Sequence, residues 1–338
     1  MVGAIVLDRA GREVARAHHE RAGQPHAERL ALERAQAQAR GGTLYLTLEP
    51  CVHHGRTPPC IDVVIASGVE TVVVAMEDPD PRVRGGGIRR LREAGIKVRT
   101  NPAAQAAERL NRFYRKQRTT GRPFVTAKWA MTLDGKIATA KGESRWISSE
   151  ESRREAHALR HEHDAVLVGV GTILADDPEL TARGEDWYRQ PLRIVVDSRL
   201  RTPPDARVAA PNTLVATLAG DPQVRRQLES KGVEVLEIAP TSDGRVDIQD
   251  LLRLLGERPL LSVLVEGGPQ VHGALFDARV VDAAAIFIAP LLVGGENAPS
   301  AVAGHGITAL GDAYRLEEVT LRKLGPDIMI TGDVQWDR

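Results

Sequence analysis

Two successive α/β domains are the fold class this sequence predicts, on three observations. Its 338 residues exceed the usual size of one hydrophobic core. Apolar, strand-like runs alternate with helix-forming segments in both halves, the pattern of helices covering a largely parallel sheet with ligands at the strand ends. Between the halves lies Thr119-Thr120-Gly121-Arg122-Pro123, a turn-rich stretch. The expected divisions are therefore 1–118, a linker at 119–123, and 124–338.

The first half opens as a hairpin, with Val2 to Leu7 and Glu13 to Ala17 joined by a turn around Asp8 and Gly11. From His26 to Arg40 good helix formers dominate, and Gly41-Gly42 supplies a stop. A strand at Thr43 to Leu48 follows. Pro58-Pro59 suits the start of a helix from Cys60 to Ser67, Val69 to Ala75 reads as a buried strand, and helix and strand recur from Gly87 to Arg99. A long amphipathic segment is expected over Ala103 to Arg118.

In the second half, strands are expected at Phe124 to Met131, Ala165 to Val170, Leu192 to Asp197, Thr213 to Thr217, Val233 to Ile238, Leu261 to Glu266 and Ala283 to Ala289, with helices between. Ser148 followed by Glu151 reads as a capping box for a helix over Ser149 to Glu162. That helix carries His157 and His161 one turn apart, with His163 beyond. Among so many Arg and Glu, a solvated face is the stronger reading than a metal pair.

Composition narrows the function. Lys plus Arg equals Asp plus Glu at 45 each, so no overall field favours nucleic acid or an anionic membrane, and only 4% aromatic residues argues against base-stacking platforms. Two cysteines make no disulfide framework, and no signal-like or membrane-length apolar run occurs, so the cytoplasm is the default compartment. Small-molecule chemistry is favoured.

The cysteines fall in a specific pattern. His26-Ala27-Glu28 opens a helix, and Pro50-Cys51 and Pro59-Cys60 stand at a strand end and a helix start. Catalytic zinc takes three protein ligands and keeps one position open for water, whose pKa it can lower from ~16 to about 7. His26, Cys51 and Cys60 match that count, and Glu28 is placed to face the metal without binding it and to act as general acid/base. The nucleobase-deaminase signature is H-x-E followed by P-C-x-x-C, whereas here eight residues separate the cysteines.

The string from Thr47-Leu48-Glu49-Pro50 through Cys60 resembles the pyrimidine deaminase of riboflavin biosynthesis, a family in which the longer insertion is usual. The resemblance implies a cytidine-deaminase-like three-layer α/β/α domain with one zinc ion; His53, His54 and Arg56, inside the inter-cysteine loop, are candidates to line the substrate pocket and meet a ribose phosphate, with solvated loop side chains as the alternative. Against that pattern, the sequence opens at Val2-Gly3, beyond the place of an N-terminal helix and an Asn-Pro segment. An alternative therefore stays open: a reductase alone, with the first half a non-catalytic zinc-stabilised module.

The second half carries Lys128-Trp129-Ala130-Met131-Thr132-Leu133-Asp134-Gly135-Lys136, then Gly142 to Ser148, the block Gly169 to Thr181, and Gly267-Gly268-Pro269 after an apolar strand. Small residues at a helix start let a phosphate approach backbone N–H groups, although no formal G-x-G-x-x-G occurs. These blocks resemble the reductase half of the same bifunctional enzymes, which is similar in fold to dihydrofolate reductase. The resemblance implies NADPH contacts at Ala130, Trp146, Thr172, Asp176, Ser198 and the turn Gly268, Pro269, Gln270, Val271, His272, Gly273 and Ala274. It implies substrate contacts at Ser144, Leu180, Arg183 and Glu266, and Lys128 is a candidate to protonate or polarise the opened sugar imine.

Taken together, the resemblance implies deamination of a phosphoribosylaminopyrimidine followed by NADPH reduction of its ribosyl chain to ribityl, by a cytoplasmic homo-oligomer, dimer or tetramer. A nucleic-acid-editing deaminase with an accessory binding domain is the rival from another class. Zero net charge, few aromatics and the NADPH-like blocks weigh against it.

Overall fold

The computed structural model describes residues 2–21, 23–53, 58–100, 103–185, 187 and 189–336. The chain divides into two compact units, Met1–Thr120 and Gly121–Arg338.

The first unit runs β1 (Gly3–Leu7), β2 (Glu13–His18), α1 (Ala27–Ala35), β3 (Thr43–Leu46), α2 (Cys60–Ala66), β4 (Thr71–Val74), α3 (Gly86–Glu93), β5 (Lys97–Thr100), α4 (Ala104–Leu110) and α5 (Arg112–Thr120). Its five-stranded sheet has the order β2-β1-β3-β4-β5. Only β3, β4 and β5 are parallel; β2 and β3 both pair antiparallel with β1, so the sheet is mixed rather than largely parallel. Period-two alternation decides the buried face: Ala4, Val6, Leu44, Leu46, Val72 and Val74 pack against Ala31 of α1, Ile61 and Val64 of α2 and Leu91 of α3. Ile5 and Tyr45, which alternate with them, are exposed. A second cluster of Leu48, Met76 and Ala107 with Tyr114 ties α4 and α5 to the segments that follow β3 and β4.

Two helix boundaries differ from expectation. α1 stops at Ala35 because Gln36 takes a left-handed φ of 49°, and a 3-10 turn at Gln36–Ala39 completes the connection. The amphipathic segment from Ala103 forms two helices, with Asn111 at φ −105° separating α4 from α5. α5 then continues through Thr119 and Thr120, into the stretch expected as linker.

The second unit runs β6 (Phe124–Thr132), α6 (Glu150–Glu162), β7 (Ala165–Gly169), α7 (Val170–Asp176), β8 (Leu192–Val196), β9 (Thr213–Thr217), α8 (Pro222–Ser230), β10 (Val233–Glu237), α9 (Ile248–Gly256), β11 (Ser262–Gly267), α10 (Pro269–Asp277), β12 (Ala283–Ala289), β13 (Arg315–Leu324) and β14 (Asp327–Gln335). The sheet order is β10-β9-β8-β7-β11-β6-β12-β14-β13. The strands from β10 to β12 are parallel, and β14 closes the series antiparallel to both β12 and β13.

Central strands of this sheet are buried on both sides, as parallel strands between helices must be. Leu167, Ile194 and Leu214 face a core shared with α9 and α10. Val168, Val195 and Val215 face a second core with Val170 and Ile173 of α7 and Leu228 of α8. The hairpin of β13 and β14 has no counterpart in the sequence reading, which places no strand after Ala289. Among the described residues, no helix is long and apolar enough to cross a membrane.

The cap of α6 is Ser149, not Ser148: its hydroxyl accepts from Ser152 N at 3.2 Å, and no Glu reaches back to close a box. Asp327, 1% exposed, accepts from Ser149 N at 2.7 Å and from Ser152 Oγ at 2.6 Å, fastening the helix start to the β13–β14 turn. Losing the hydroxyl strands a helix N–H, so Ser149→Ala should lower the stability of this unit by about 1 kcal/mol. Ser148→Ala should change it little; urea unfolding of both variants checks the assignment.

Candidate active sites

In the first unit, the metal-type residues all stand at element ends. His26 is the N-cap of α1, Cys51 follows β3, and Cys60 is the first residue of α2. His26 Nδ1 lies 3.1 Å from Cys60 Sγ and 3.7 Å from Cys51 Sγ, and the three ligand atoms sit within 4.8 Å of one another. Cys60 N donates to Cys51 Sγ at 3.3 Å. Three donors of this softness, so close, fit a tetrahedral metal with its fourth position open.

Glu28 lies in the first turn of α1, 3% exposed, with Oε2 lacking a hydrogen-bond partner among the described residues. A buried carboxylate oxygen left without a donor is costly, which marks a place where something else binds. Burial pushes the Glu28 carboxyl above its ordinary range. The Cys51 thiol is held well below its ordinary value, first by the hydrogen bond from the Cys60 thiol and then by His26.

What holds Cys51 in place is the neighbouring Glu49. Its buried carboxylate accepts from Asp78 N at 3.1 Å, Gly85 N at 2.9 Å and Ile88 N at 3.0 Å, pinning the loop after β4 and the start of α3. Gly87 packs so closely there that a Cβ would come within 2.3 Å of Pro50 O. His19 adds an edge-to-face contact to His26, 5.2 Å between ring centroids, which the sequence reading missed. His53 is half-buried, with Nδ1 unpartnered among the described residues; His54 and Arg56 lie outside the described residues.

In the second unit, Lys128 of β6 and Glu266 of β11 meet across paired strands, with Nζ 3.4 Å from Oε2. Lys128 is an internal side chain: 14% of it is accessible, and it also lies over the Phe287 ring. Arg160 of α6 grips the same carboxylate with two bonds, Nε to Oε1 at 2.5 Å and Nη2 to Oε2 at 2.8 Å. Burial opposes the charge on Glu266, but Arg160 and Lys128 outweigh it and hold the carboxyl far below its ordinary range.

The α6 histidines do not form a solvated face. His157 is half-buried and bonds Thr181 O through Nδ1 at 3.1 Å; its other nitrogen lies 3.5 Å from Arg183 Nη2. Burial, then the Arg160 and Arg183 cations, depress its pKa. His161 stacks on Trp187 at 5.0 Å. Arg183 itself is exposed and paired with Glu179 at 3.0 Å.

The expected cofactor residues fall into two sets. At the ends of β7 and β11, small residues let backbones meet: a Cβ on Gly267 would lie 2.7 Å from Val168 Cα. Gly268 has φ +79°, and a Cβ there would meet only Thr172 Oγ1, at 3.8 Å, so the turn before α10 is open to a phosphate. Asp176 pairs with Arg145, and the exposed Trp146 ring lies under Arg145 and Arg153. Ala130 is half-buried beside the Ala285–Phe287–Met329 cluster.

Other positions are turned inward. Val271, His272 and Gly273 are buried, and His272 points its ring nitrogens at Ala301 O and Val265 O. This stretch can offer a ligand only backbone, alongside the accessible Pro269, Gln270 and Ala274. Leu180 is 2% exposed with φ +55°, so it too would present main chain. Ser198 Oγ accepts from Val246 N at 3.1 Å, and Ser144 is a half-buried loop residue.

Comparison with known proteins matches a family to each unit. Residues 123–330 match the family described as RibD C-terminal domain, and residues 1–76 match the cytidine and deoxycytidylate deaminase zinc-binding region. The riboflavin biosynthesis protein RibD of Bacillus amyloliquefaciens is 40% identical over 335 residues, covering 98% of this chain and 89% of that one. The chain belongs to the RibD family. Among solved structures, Acinetobacter baumannii RibD form 1 aligns with TM-score 0.89 at 33% identity, covering 99% of this chain and 92% of that one. A Thermotoga maritima protein titled as a diaminohydroxyphosphoribosylaminopyrimidine deaminase/5-amino-6-(5-phosphoribosylamino)uracil reductase aligns with TM-score 0.85 at 33% identity, covering the same shares. This RibD-family protein is thus a bifunctional enzyme of riboflavin biosynthesis, with a deaminase and a reductase domain, and its zinc-binding region includes the His26, Cys51 and Cys60 cluster.

The charge cluster has a measurable pH signature. A carboxyl with a depressed folded-state pKa adds stability that is present above the unfolded value, about 4.3, and is lost as pH falls. Glu266→Gln leaves Arg160 and Lys128 without their buried partner and should destabilise the reductase unit by about 3–5 kcal/mol near neutrality. The gap to wild type should be constant above pH ~5 and shrink below pH ~4; chemical denaturation across that range checks it.

Proposed function

We propose that this enzyme carries out two consecutive steps: hydrolytic deamination of 2,5-diamino-6-(5-phosphoribosylamino)pyrimidin-4(3H)-one, then NADPH-dependent reduction of the ribosyl side chain to give 5-amino-6-(5-phosphoribitylamino)uracil. The observation that carries the first step is Glu28, buried beside His26, Cys51 and Cys60 with its Oε2 lacking a partner among the described residues. The titled activity of the Thermotoga maritima relative supports the substrate.

For deamination, His26, Cys51 and Cys60 would hold one zinc ion, which when bound supplies the Lewis acidity that makes water a nucleophile near neutral pH. Glu28 takes a proton from the attacking water and delivers protons to the ring nitrogen and the departing amine, so that water enters and ammonia leaves. Burial raises the Glu28 carboxyl above its ordinary range, towards the pH at which a group can both accept and return protons. His53, with a buried ring nitrogen to satisfy, is a substrate contact.

For reduction, Gly268, Pro269, Gln270, Thr172, Asp176, Ala130, Trp146 and Ser198 would line the NADPH site, with Val271 to Ala274 contributing main chain. The open turn at Gly268 supports that placement. NADPH supplies the hydride. Glu266 and Lys128 face the sugar, Lys128 as the proton donor to the opened imine, while Arg183, Ser144 and the Leu180 backbone hold the phosphate end. The scarcity of aromatics and the absence of net charge support a small-molecule role, and two cysteines with no disulfide framework support the cytoplasm as its compartment. Exposed Val319 and Leu321 on edge strand β13 support a homo-oligomer, dimer or tetramer.

Glu28→Gln should release no ammonia while retaining zinc by elemental analysis, and should still oxidise NADPH when given the deaminated intermediate. Zinc loss in that variant would show Glu28 to be a ligand. Undiminished ammonia release would remove it from the mechanism.

A further inference from the structure

Arg183, assigned above to the phosphate end of the reductase substrate, has both terminal nitrogens engaged. Nη1 donates to Glu179 Oε2 at 3.0 Å, and Nη2 lies 3.5 Å from His157 Nε2. A guanidinium grips a phosphate best through two parallel N–H bonds. That fork is closed for as long as Glu179 holds one of its arms.

Glu179 is itself shared between two cations. Its other oxygen, Oε1, pairs with Arg207 Nη2, while Thr181 Oγ1 lies 3.5 Å from Oε2. Arg207 is tethered beside it through its backbone, whose N–H donates to Asp177 Oδ1 at 2.8 Å. One carboxylate thus bridges two guanidinium groups on different loops.

We propose that Glu179 is a built-in competitor of the substrate phosphate. In the free enzyme its carboxylate occupies Arg183; on binding, the phosphate takes its place and Arg207 retains the displaced carboxylate. The inference rests on the reading of Arg183 as the residue that holds the phosphate end of the reductase substrate.

Three features carry it. Carboxylate and phosphate offer a guanidinium the same chemistry, charged oxygens that accept paired N–H bonds, so the Glu179 contact stands where a phosphate contact would form. The pairs are open to water, with side-chain exposure of 60% for Arg183, 55% for Arg207 and 34% for Glu179, so each is weak and exchange is easy. The third is Arg207: it keeps a counter-ion on Glu179 after Arg183 has turned away, which offsets the repulsion between that carboxylate and the incoming anion. The reduced product carries the same phosphate, so the competitor limits the affinity of substrate and product alike and speeds the release of both.

The test uses the full-length enzyme with saturating NADPH and the deaminated intermediate, and inorganic phosphate as a competing ligand. Glu179→Gln, which keeps the size of the side chain and removes its charge, should lower both KM and the inhibition constant of phosphate by about two- to fivefold, the range that exposed ion pairs span. Arg207→Met leaves Arg183 as the remaining ion-pair partner of Glu179 and should raise both constants by a similar factor. The double variant should behave as Glu179→Gln alone, because Arg207 acts through Glu179. A merely structural role would raise KM in both single variants, so the opposite signs are diagnostic. An unchanged or raised phosphate constant in Glu179→Gln, or an unchanged or lowered one in Arg207→Met, overturns the competitor. Arg183→Met separates the two readings: if it leaves KM and the phosphate constant at their wild-type values, Arg183 does not hold the phosphate, and the competitor falls with that assignment. If the wild-type enzyme oxidises no NADPH with the intermediate, the reductase reading falls first and takes the competitor with it.

Discussion

A carboxylate withdrawn from water has to be met by fixed donors, and both units are organised around one that is. Glu49 takes three backbone N–H groups from the segments that flank the metal-type cluster. Glu266 takes the Arg160 fork and the Lys128 ammonium. The same solution recurs at Asp197, fully buried, which collects Thr202 through both its N–H and its hydroxyl, and at Asp327 beneath α6. Against that regularity Glu28 is the exception: it is as buried as the others, yet one oxygen has no donor. A structure that satisfies these other buried acids so thoroughly leaves this one open beside the His26, Cys51 and Cys60 cluster.

Sheet topology puts these groups where chemistry is accessible. Cys51 follows parallel strand β3 and Glu266 stands at the end of β11, while Lys128 reaches Glu266 from the middle of β6. Close backbone approach is what keeps those ends in register with the helices that follow. Gly87 sits on Pro50 O in the deaminase, and Gly267 on Val168 in the reductase, each leaving no room for a side chain.

Much of this was legible before any coordinates. The metal-type cluster could be read because its ligands stand at helix starts and strand ends that proline and glycine mark chemically. Central strands such as Ala165–Gly169 were legible because burial on both faces leaves an unbroken apolar run. The hairpin of β13 and β14 was not, since the β13 side chains are mostly exposed and its polar residues carry no burial pattern. The break at Asn111 and the early stop at Gln36 depend on single backbone angles that propensity does not encode. The buried contacts of Arg160 and His157 were missed for a different reason. A charged helix face looks solvated in one dimension, and only the fold shows that its partner, Glu266, is 106 residues away. The inward turn of His272 and Gly273 was hidden likewise, because matching a motif gives positions, not which side of the helix meets the core.

The most direct measurement is a coupled assay on the zinc-loaded protein with the diaminopyrimidine phosphate and NADPH, following ammonia and NADPH separately in one reaction. Ammonia release that precedes NADPH oxidation, both dependent on the same starting substrate, is the predicted result. NADPH oxidation only when the deaminated intermediate is supplied, with no ammonia at any time, would contradict the assignment of the Glu28 site as a working deaminase.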